Sequence, residues 1–176
     1  VALSGAYSFF RWRWQRTHRK PRTLIANLSP GAHVRIVGKA RKITEQTTGP
    51  MTGKPCLATT GFSNITHYDG LAGKRIEIVV PFRIEDETGS IAVTPSDYHE
   101  LHLAYEIHDL TKASGFGASI VERERAQTGS REDSESRLDF DARVEASGIV
   151  LRAEDGSLRI TGTAREPLVL RALASP

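Results

Sequence analysis

The chain has 176 residues, of which 39% are hydrophobic and 26% are charged, a composition typical of a globular domain. Its single cysteine, Cys56, cannot form an internal disulfide, and the sequence has no Cys-x-x-Cys pair with which to begin a zinc finger. No run of about 18 apolar residues is present, so the sequence holds no complete membrane-spanning helix.

The net charge of +3 is unevenly distributed along the chain. Ten of the 24 Lys and Arg residues lie between Val1 and Thr44, a stretch that has no Asp or Glu. The rest of the chain carries 14 basic residues and all 21 acidic ones. A basic N-terminal arm therefore precedes an acidic body.

The first ten residues, Val1–Phe10, are apolar and uncharged, and a stretch rich in Arg and Trp follows them. This order is typical of the end of a transmembrane helix, then interfacial aromatics, then a basic flank on the cytoplasmic side. We expect residues 1–22 to form a membrane-proximal helical segment with a basic juxtamembrane arm, before a single domain over residues 23–176. The side chains predicted to lie at the membrane interface are Phe9, Phe10, Arg11, Trp12, Arg13, Trp14, Arg16, Arg19, Lys20 and Arg22.

Two other interpretations of this arm stay open. In the first, the arm is a solvated basic tail. In the second, the arm binds single-stranded nucleic acid through cations and aromatic stacking. The aromatics that are interleaved with basic residues, Trp12 and Trp14, are confined to the arm instead of being spread over a folded surface, which disfavours the nucleic-acid interpretation.

The first part of the body predicts β-strands. His33–Ala40 alternates well enough for a strand, with a bulge or bend at Gly38. Thr47–Lys54 contains Gly and Pro and is predicted to be a loop. Cys56–Ile65 is predicted to be a strand that is interrupted at Gly61.

The middle of the chain contains the clearest hairpin pattern. Lys74–Glu85 is β-branched and predicts a strand, Asp86–Gly89 predicts a turn, and Ser90–Thr94 predicts the return strand. Pro81 cannot donate a ladder hydrogen bond, so we expect it at an edge or bulge. Leu101–Ile107 alternates with period 2 and predicts a further strand.

The last third contains one polar segment and one hairpin pattern. Gln127–Arg137 is highly charged and is predicted to be a mobile loop, as a solvated insertion in preference to a docking segment. Asp139–Leu151 and Ser157–Gly162 flank a turn at Asp155-Gly156. Many short strands between Gly and Pro turns predict a mainly β fold, a small closed or partly open β-barrel that is OB-like.

Three segments resemble successive blocks of the GIDE domain of membrane-anchored RING ubiquitin ligases: Gly49–Cys56, the block Pro81–Val93, and Glu122-Arg123. The resemblance covers about residues 28–170 and implies a β-rich recognition or assembly domain beside a membrane. A RING domain needs eight Cys or His zinc ligands, which one cysteine cannot supply, so ubiquitin transfer is not implied. The residues that match the family pattern are Gly53, Pro55, Cys56, Pro81, Phe82, Asp86, Thr88 and Gly89.

Candidate catalytic and metal-binding groups are weak. His99-Glu100-Leu101-His102 is one residue short of the helical zinc motif His-Glu-x-x-His. His102, Glu106 and His108 would share one face of a strand, for which an exposed polar face is the favoured interpretation. Asp86 is expected to accept backbone hydrogen bonds in its turn, with Gly89 free to take positive φ, and Cys56 is expected to be a buried apolar residue.

The sequence therefore predicts no catalytic residue, no metal and no cofactor. It predicts a non-catalytic, membrane-tethered module on the cytoplasmic face, which binds membrane lipids through its arm and other protein subunits of a membrane complex. The alternative is an OB-like barrel that binds single-stranded nucleic acid, although the acidic body would repel the phosphate backbone.

Overall fold

The structure, a computed structural model, describes residues 20–67, 70–103, 106–107 and 131–174. The described chain is mainly β, with one short 3-10 helix, Ile25–Asn27, before the first strand. This confirms the predicted fold class. The strands are β1 His33–Lys42, β2 Thr47–Thr48, β3 Pro55–Cys56, β4 Ala58–His67, β5 Gly70–Val79, β6 Phe82–Asp86, β7 Gly89–Val93, β8 His99–His102, β9 Glu106–Ile107, β10 Arg131–Leu138, β11 Arg143–Arg152, β12 Leu158–Thr161 and β13 Leu168–Ala172.

Five strands close into a barrel in the order β1, β6, β7, β12, β11 and back to β1. The β7–β12 pair is parallel, and the other four pairs are antiparallel. Strand β1 closes the barrel because residues 33–39 pair with β11 and residues 39–42 pair with β6. Each of the five strands thus has a partner on both sides, which confirms the predicted small barrel.

Alternating apolar side chains fill the barrel interior. On β6, Phe82 and Ile84 are fully buried while Arg83 between them is exposed, and on β7 Ile91 and Val93 face the same core. Burying a side chain of this size contributes about 1.5–3 kcal/mol. A slip of one residue would place Arg83 in the core, so the alternation also fixes the register. The other inward residues of the barrel are Val34, Ile36, Ala40, Val144, Ala146, Val150 and Ile160.

Gly38 lies where β1 changes partner from β11 to β6. A Cβ atom at this position would be 2.2 Å from the backbone oxygen of Glu85. Glycine is therefore required for the close approach of β1 and β6. The pairing with β11 is continuous through Gly38, so the predicted bulge is absent.

The barrel carries two additions. Strand β13 pairs with the first half of β11, and β8 pairs with β13 in parallel, which buries Leu101 and Leu170 against the core. A separate sheet in the order β5, β4, β10, β9 is built from two excursions of the chain, one between β1 and β6 and one between β7 and β11. Ala58 and Leu138 of this sheet join the barrel core.

Two predicted strands are each divided between two sheets. The predicted strand Lys74–Glu85 is wrong as a single element, because β5 belongs to the separate sheet and β6 to the barrel. The break falls at Val80-Pro81, where proline lacks an N–H, and Pro81 lies between the two strands and not at an edge or bulge of one strand. The predicted strand Leu101–Ile107 is likewise divided, with β8 beside the barrel and β9 in the separate sheet.

The prediction of a mobile loop over residues 127–137 is wrong for residues 131–137. These residues form most of β10, an inner strand between β4 and β9. Their polarity suggested solvent, but Glu135 and Ser136 are both buried. Residues 127–130 lie outside the described residues.

The other strand predictions are largely confirmed. The β6–β7 and β11–β12 hairpins form as predicted. Strand β4 passes through Gly61 without interruption, so the predicted interruption is wrong. Glycine fits at this position because Pro50 lies 2.7 Å from where a Cβ atom would be. The predicted loop Thr47–Lys54 contains a short ladder in which Thr47 pairs with Cys56.

The predicted N-terminal helical segment lies outside the described residues except for residues 20–22, which are not helical. The motif pair Glu122-Arg123 and the candidate His108 also lie outside them. Within the ranges that the structure describes, no helix is both long and apolar enough to cross a membrane.

Candidate functional site

Residues 20–28, which we call the docked segment, lie against the outer wall of the barrel. The backbone N–H of Thr23 donates to the backbone oxygen of Arg35 on β1 at 2.8 Å. The N–H of Ile25 donates to Asp86 Oδ2 at 3.0 Å, and the N–H of Ala26 donates to Thr88 Oγ1 at 3.1 Å. The end of the basic arm is thereby joined to β1 and to the β6–β7 turn.

Asp86 organises that turn. Its Oδ1 accepts hydrogen bonds from the Thr88 N–H at 2.7 Å, the Thr88 hydroxyl at 2.6 Å and the Gly89 N–H at 3.1 Å. The side chain is fully buried, which by itself would raise its pKa, but the hydrogen bonds from Thr88, Ile25 and Gly89 hold the pKa below its usual value. The predicted structural role of Asp86 is confirmed. Gly89 does not adopt the positive φ that is open to glycine.

Lys20 and Arg22, the two predicted membrane-interface residues within the described chain, both contact the barrel. Arg22 Nη2 lies 2.7 Å from Glu87 Oε2, and Lys20 Nζ lies 2.7 Å from His33 Nδ1. Burial lowers the pKa of His33, the Glu166 carboxylate opposes that shift, and the Lys20 ammonium adds to it. The neutral ring can therefore accept the Lys20 hydrogen bond. The other eight predicted interface residues precede residue 20 and lie outside the described residues.

A groove of about 700 Å³, which we call the arm-side groove, opens beside the docked segment. Residues 37–39 of β1 form its floor. The end of β6 and Arg22 form one wall, and Asp141 and Arg143, before and at the start of β11, form the other. The residues that line it are Arg22, Val37, Gly38, Lys39, Glu85, Asp86, Glu87, Asp141 and Arg143.

The carboxylates of the arm-side groove all have partners. Arg41 Nε donates to Glu85 Oε2 at 2.8 Å, and Arg41 also contacts Asp141. Glu87 pairs with Arg22, and Asp86 is satisfied by its own turn. Two arginines, Arg41 and Arg22, thus serve three of the four carboxylates, and the fourth is held by neutral hydrogen-bond donors.

Two further cations line the groove. Lys39 on β1 and Arg143 on β11 are directly opposite each other in the antiparallel register. Both are exposed, and neither forms an ion pair with a described residue. With Arg22 and Arg41 counted, four cations and four carboxylates lie at the groove, so its formal charges balance.

A second arrangement holds the 49–53 loop, residues Gly49–Gly53, against β10. The N–H groups of Met51 and Thr52 donate to Glu135 Oε2 at 2.6 and 3.1 Å. The Thr52 hydroxyl donates to Glu135 Oε1 at 2.6 Å, and Arg137 Nη1 lies 3.1 Å from the same oxygen. One carboxylate therefore satisfies two loop N–H groups and a hydroxyl.

The electrostatics of this arrangement keep Glu135 charged. Its side chain is fully buried, which would raise its pKa, but the donors from Thr52, Met51 and Arg137 outweigh burial and lower the pKa. A Cβ atom at Gly49 would lie 2.3 Å from Glu135 Oε1, so only glycine fits there. The carboxylate fastens the loop to the sheet and has no exposed atom with which to bind a substrate.

Cys56 follows the loop and is fully buried, as predicted. Burial raises the pKa of its thiol to about 12, so the thiolate needed for nucleophilic chemistry does not form near neutral pH.

The remaining residues of the GIDE-like pattern lie in three places. Gly53, at φ +67°, and Pro55 belong to the loop region, while Thr88 and Gly89 belong to the turn that holds the docked segment. Phe82 lies in the barrel core directly after Pro81. These residues therefore do not form one site.

The candidate metal residues do not converge. His99–His102 forms strand β8, and His102 and Glu106 belong to different sheets. The prediction that His102 and Glu106 share one strand face is therefore wrong. The described part of the chain contains no group of three potential metal ligands.

Sequence reasoning missed Lys39, Arg143, Glu135 and Arg137. The first two meet only through the pairing of β1 with β11, which no local pattern reveals. Ser134–Leu138 has a single apolar residue, so no apolar alternation indicated a strand for the other two.

Comparison with known proteins finds no family model that matches the chain and no curated protein that is significantly similar to it.

Proposed function

We propose that this protein is a non-catalytic, membrane-tethered module on the cytoplasmic face that binds another protein as an accessory or structural subunit of a larger membrane complex. The observation that carries the proposal is the attachment of residues 20–28 to the barrel through Arg35, Asp86 and Thr88. A tether that is bonded to its domain orients that domain relative to the anchor. Such orientation serves assembly with other membrane components.

The preceding arm has the chemistry of a membrane contact. Trp12 and Trp14 suit the headgroup level, and each Lys or Arg near an anionic leaflet contributes about 1 kcal/mol. The resemblance of the body to the GIDE domain, which lies beside membranes, supports the same placement.

The outer edge of β5 supports a protein partner. Strand β5 ends the order of its sheet, and among the described strands only β4 pairs with it. The Val80 N–H bonds to Leu57, so in the antiparallel alternation the backbone groups of Glu77 and Val79 point away from β4. Ile78 is 38% exposed beside this edge. An extended segment of a partner can add to such an edge by main-chain hydrogen bonds.

The alternative is an OB-like barrel that binds single-stranded nucleic acid, and the five-strand closure is compatible with it. That function requires aromatic stacking platforms on a cationic groove. Among the residues whose side chains are described, Tyr98 is the one large aromatic that is exposed. The alternative is therefore less well supported.

Membrane attachment is tested by flotation of the intact chain with anionic vesicles. Replacing Arg11, Arg13 and Arg16 by Gln should weaken binding about 100-fold, because each cation contributes about fivefold. The matched control replaces Lys54, Arg83 and Arg152 by Gln and should bind like the parent. Equal binding of both variants would contradict the role of the arm.

Partner binding is tested by purification of the intact protein from membranes in mild detergent, followed by mass spectrometry. We expect a stoichiometric membrane protein partner. Ile78→Lys should abolish its recovery, whereas Ile43→Lys, at a position that is also 38% exposed, should not. Recovery of the protein alone, or with nucleic acid, would overturn the proposed function.

A further inference from the structure

We propose that His33 is a pH-sensitive switch for the start of the docked segment: its neutral ring holds Lys20 against the barrel, and its protonated ring pairs with Glu166 and releases Lys20. Histidine is the side chain whose charge ordinarily changes between pH 5 and 8. The switch uses side chains of the folded chain alone, so it does not depend on the proposed membrane or protein contacts.

The hydrogen bond between Lys20 and His33 requires a neutral ring. Lys20 Nζ lies 2.7 Å from His33 Nδ1. An ammonium has three N–H donors and no acceptor, so Nδ1 is the acceptor and carries no proton. The proton of the neutral ring is then on Nε2. A second proton would go to Nδ1, which would leave two cations within hydrogen-bond distance and no acceptor between them.

The opposite edge of the ring faces the Glu166 carboxylate. Glu166 Oε2 lies 3.6 Å from His33 Nε2, the nitrogen that carries the proton in the neutral ring. The Glu166 side chain is 47% exposed, so it has room to approach the ring. In acid the imidazolium therefore gains a carboxylate partner at one edge while it repels Lys20 at the other.

The other charges near the ring are already paired. Arg35, the next outward residue of β1, contacts Glu145 of β11 at 2.6 Å, and the β11 residue opposite His33 is the uncharged Ile149. Arg35 Nη1 also donates to the backbone oxygen of Lys20 at 3.3 Å, a long hydrogen bond that does not hold the ammonium. Within the described chain, the charges that act on the ring are the ammonium of the docked segment and the carboxylate before β13.

The pH range of the switch follows from the direction of the pKa shift. Burial lowers the pKa of His33 below the ordinary value of 6.5, the Glu166 carboxylate opposes this shift, and the Lys20 ammonium adds to it. Because the folded pKa is lowered, the Lys20 contact is complete above about pH 6.5 and is lost as the pH falls through the folded value.

The rest of the docked segment stays attached in this range. Thr23 bonds to a backbone oxygen, which does not titrate, and Ile25 bonds to Asp86, whose lowered pKa keeps it charged. Acid therefore moves the first held residue of the described chain from Lys20 toward Thr23, which frees at most about 10 Å of chain.

NMR on the intact chain without lipid tests the switch. At pH 7.5 we expect a nuclear Overhauser effect between the Lys20 side chain and the His33 ring, because the two are in contact. As the pH is lowered to 5.0, this signal should disappear with the same midpoint as the titration of the His33 ring. The 15N relaxation of the Lys20 amide should then show larger motion, while that of the Ile25 amide stays as it was.

Two variants test the opposing charges on the ring. Lys20→Met removes the like charge and should tighten proton binding by His33 up to about tenfold, whereas Glu166→Gln removes the opposite charge and should weaken it by a similar factor. The matched control, Glu154→Gln, removes an exposed carboxylate and should leave the titration unchanged. An unchanged His33 titration in both test variants would contradict the assigned contacts.

His33→Gln keeps a neutral acceptor for Lys20 that does not titrate. The Lys20 amide of this variant should show the same motion at pH 7.5 and 5.0, whereas the control His102→Gln, at a histidine that is 43% exposed, should respond to acid like the parent. Equal loosening in His33→Gln would overturn the switch, as would a Lys20–His33 signal that is absent at pH 7.5 or persists after the ring is protonated. Failure of the intact chain to bind anionic vesicles, with these responses present, would overturn the proposed function and leave the switch standing.

Discussion

Asp86 and Glu135 are two buried carboxylates that perform the same task in different parts of the molecule. Asp86 fastens the docked segment to the barrel, and Glu135 fastens the 49–53 loop to β10. Both accept backbone N–H groups, and both have a pKa below the usual value because those donors favour the charged form.

The two carboxylates differ in how far along the chain their partners lie. Three of the hydrogen bonds to Asp86 come from Thr88 and Gly89 in its own turn. The partners of Glu135 in the loop are 83 or 84 residues away, and the nearby cation Arg137 is only 9% exposed. Hydrogen bonds within one turn can form without the rest of the fold. Hydrogen bonds between distant segments form only when the whole domain is folded. Glu135 should therefore matter more for stability than Asp86.

The largest expected effect is that of Glu135→Ala. It leaves the Met51 and Thr52 N–H groups without their acceptor and Arg137 without its buried partner, which should cost about 3–5 kcal/mol of unfolding free energy in urea denaturation. Glu154→Ala, at an exposed acidic residue, is the control and should change stability by less than about 0.5 kcal/mol. A loss below about 1 kcal/mol for Glu135→Ala would show that the loop does not depend on this carboxylate.

The reactivity of the Cys56 thiol reports whether the 49–53 loop is closed. With a thiol pKa of about 12, it should react with a disulfide reagent at pH 8 about a thousandfold more slowly in the native protein than in the unfolded chain. Glu135→Gln should increase that rate before global unfolding. Fast native labelling of the parent would contradict the closed loop.

A smaller effect is expected for Gly49→Ala. The added methyl would lie 2.3 Å from Glu135 Oε1, and displacing it should cost about 1–3 kcal/mol in urea denaturation. Gly89→Ala is the control, because its Cβ would meet Ile25 at an ordinary 3.5 Å and φ is not positive there. Equal stabilities for the two variants would refute the tight fit at Glu135.

Asp86→Ala should cost about 1–2 kcal/mol of stability, since its donors lie near the surface and can be hydrated. Amide exchange at Ile25 should become faster, while exchange at Met51 stays as in the parent. Unchanged exchange at Ile25 would mean that Asp86 does not hold the docked segment.

The smallest effect concerns pH. Because the folded pKa of both carboxylates is lowered, their contribution is complete above the ordinary carboxyl range, about pH 4, and is lost as pH falls through the folded value. Urea denaturation of the parent should therefore show stability that declines below about pH 4. Glu135→Gln should flatten this decline more than Asp86→Asn, and the reverse order would contradict the comparison.

Sequence reasoning succeeded where the determinants are local. The β6–β7 hairpin and the role of Asp86 could be predicted because Asp86, Thr88 and Gly89 are contiguous and one turn explains them. The alternation in β1 likewise predicted a strand.

Sequence reasoning failed where the structure is determined by pairing between residues that are distant along the chain. The polar run of β10 becomes a strand because β4 and β9 pair with it and the 49–53 loop compensates Glu135. The break at Val80-Pro81 was visible as a proline, but the change of sheet was not. Lys39 and Arg143 become neighbours only when the barrel closes, so the arm-side groove had no signature in the sequence.

The central claim is that the arm contacts a membrane while its end is fixed to the barrel. The chain has two tryptophans, Trp12 and Trp14, so its intrinsic tryptophan fluorescence reports on the arm alone. With anionic vesicles that contain brominated lipids, we expect a blue shift and strong quenching of this emission. Emission that stays red-shifted and unquenched while the protein is folded would contradict the membrane tether.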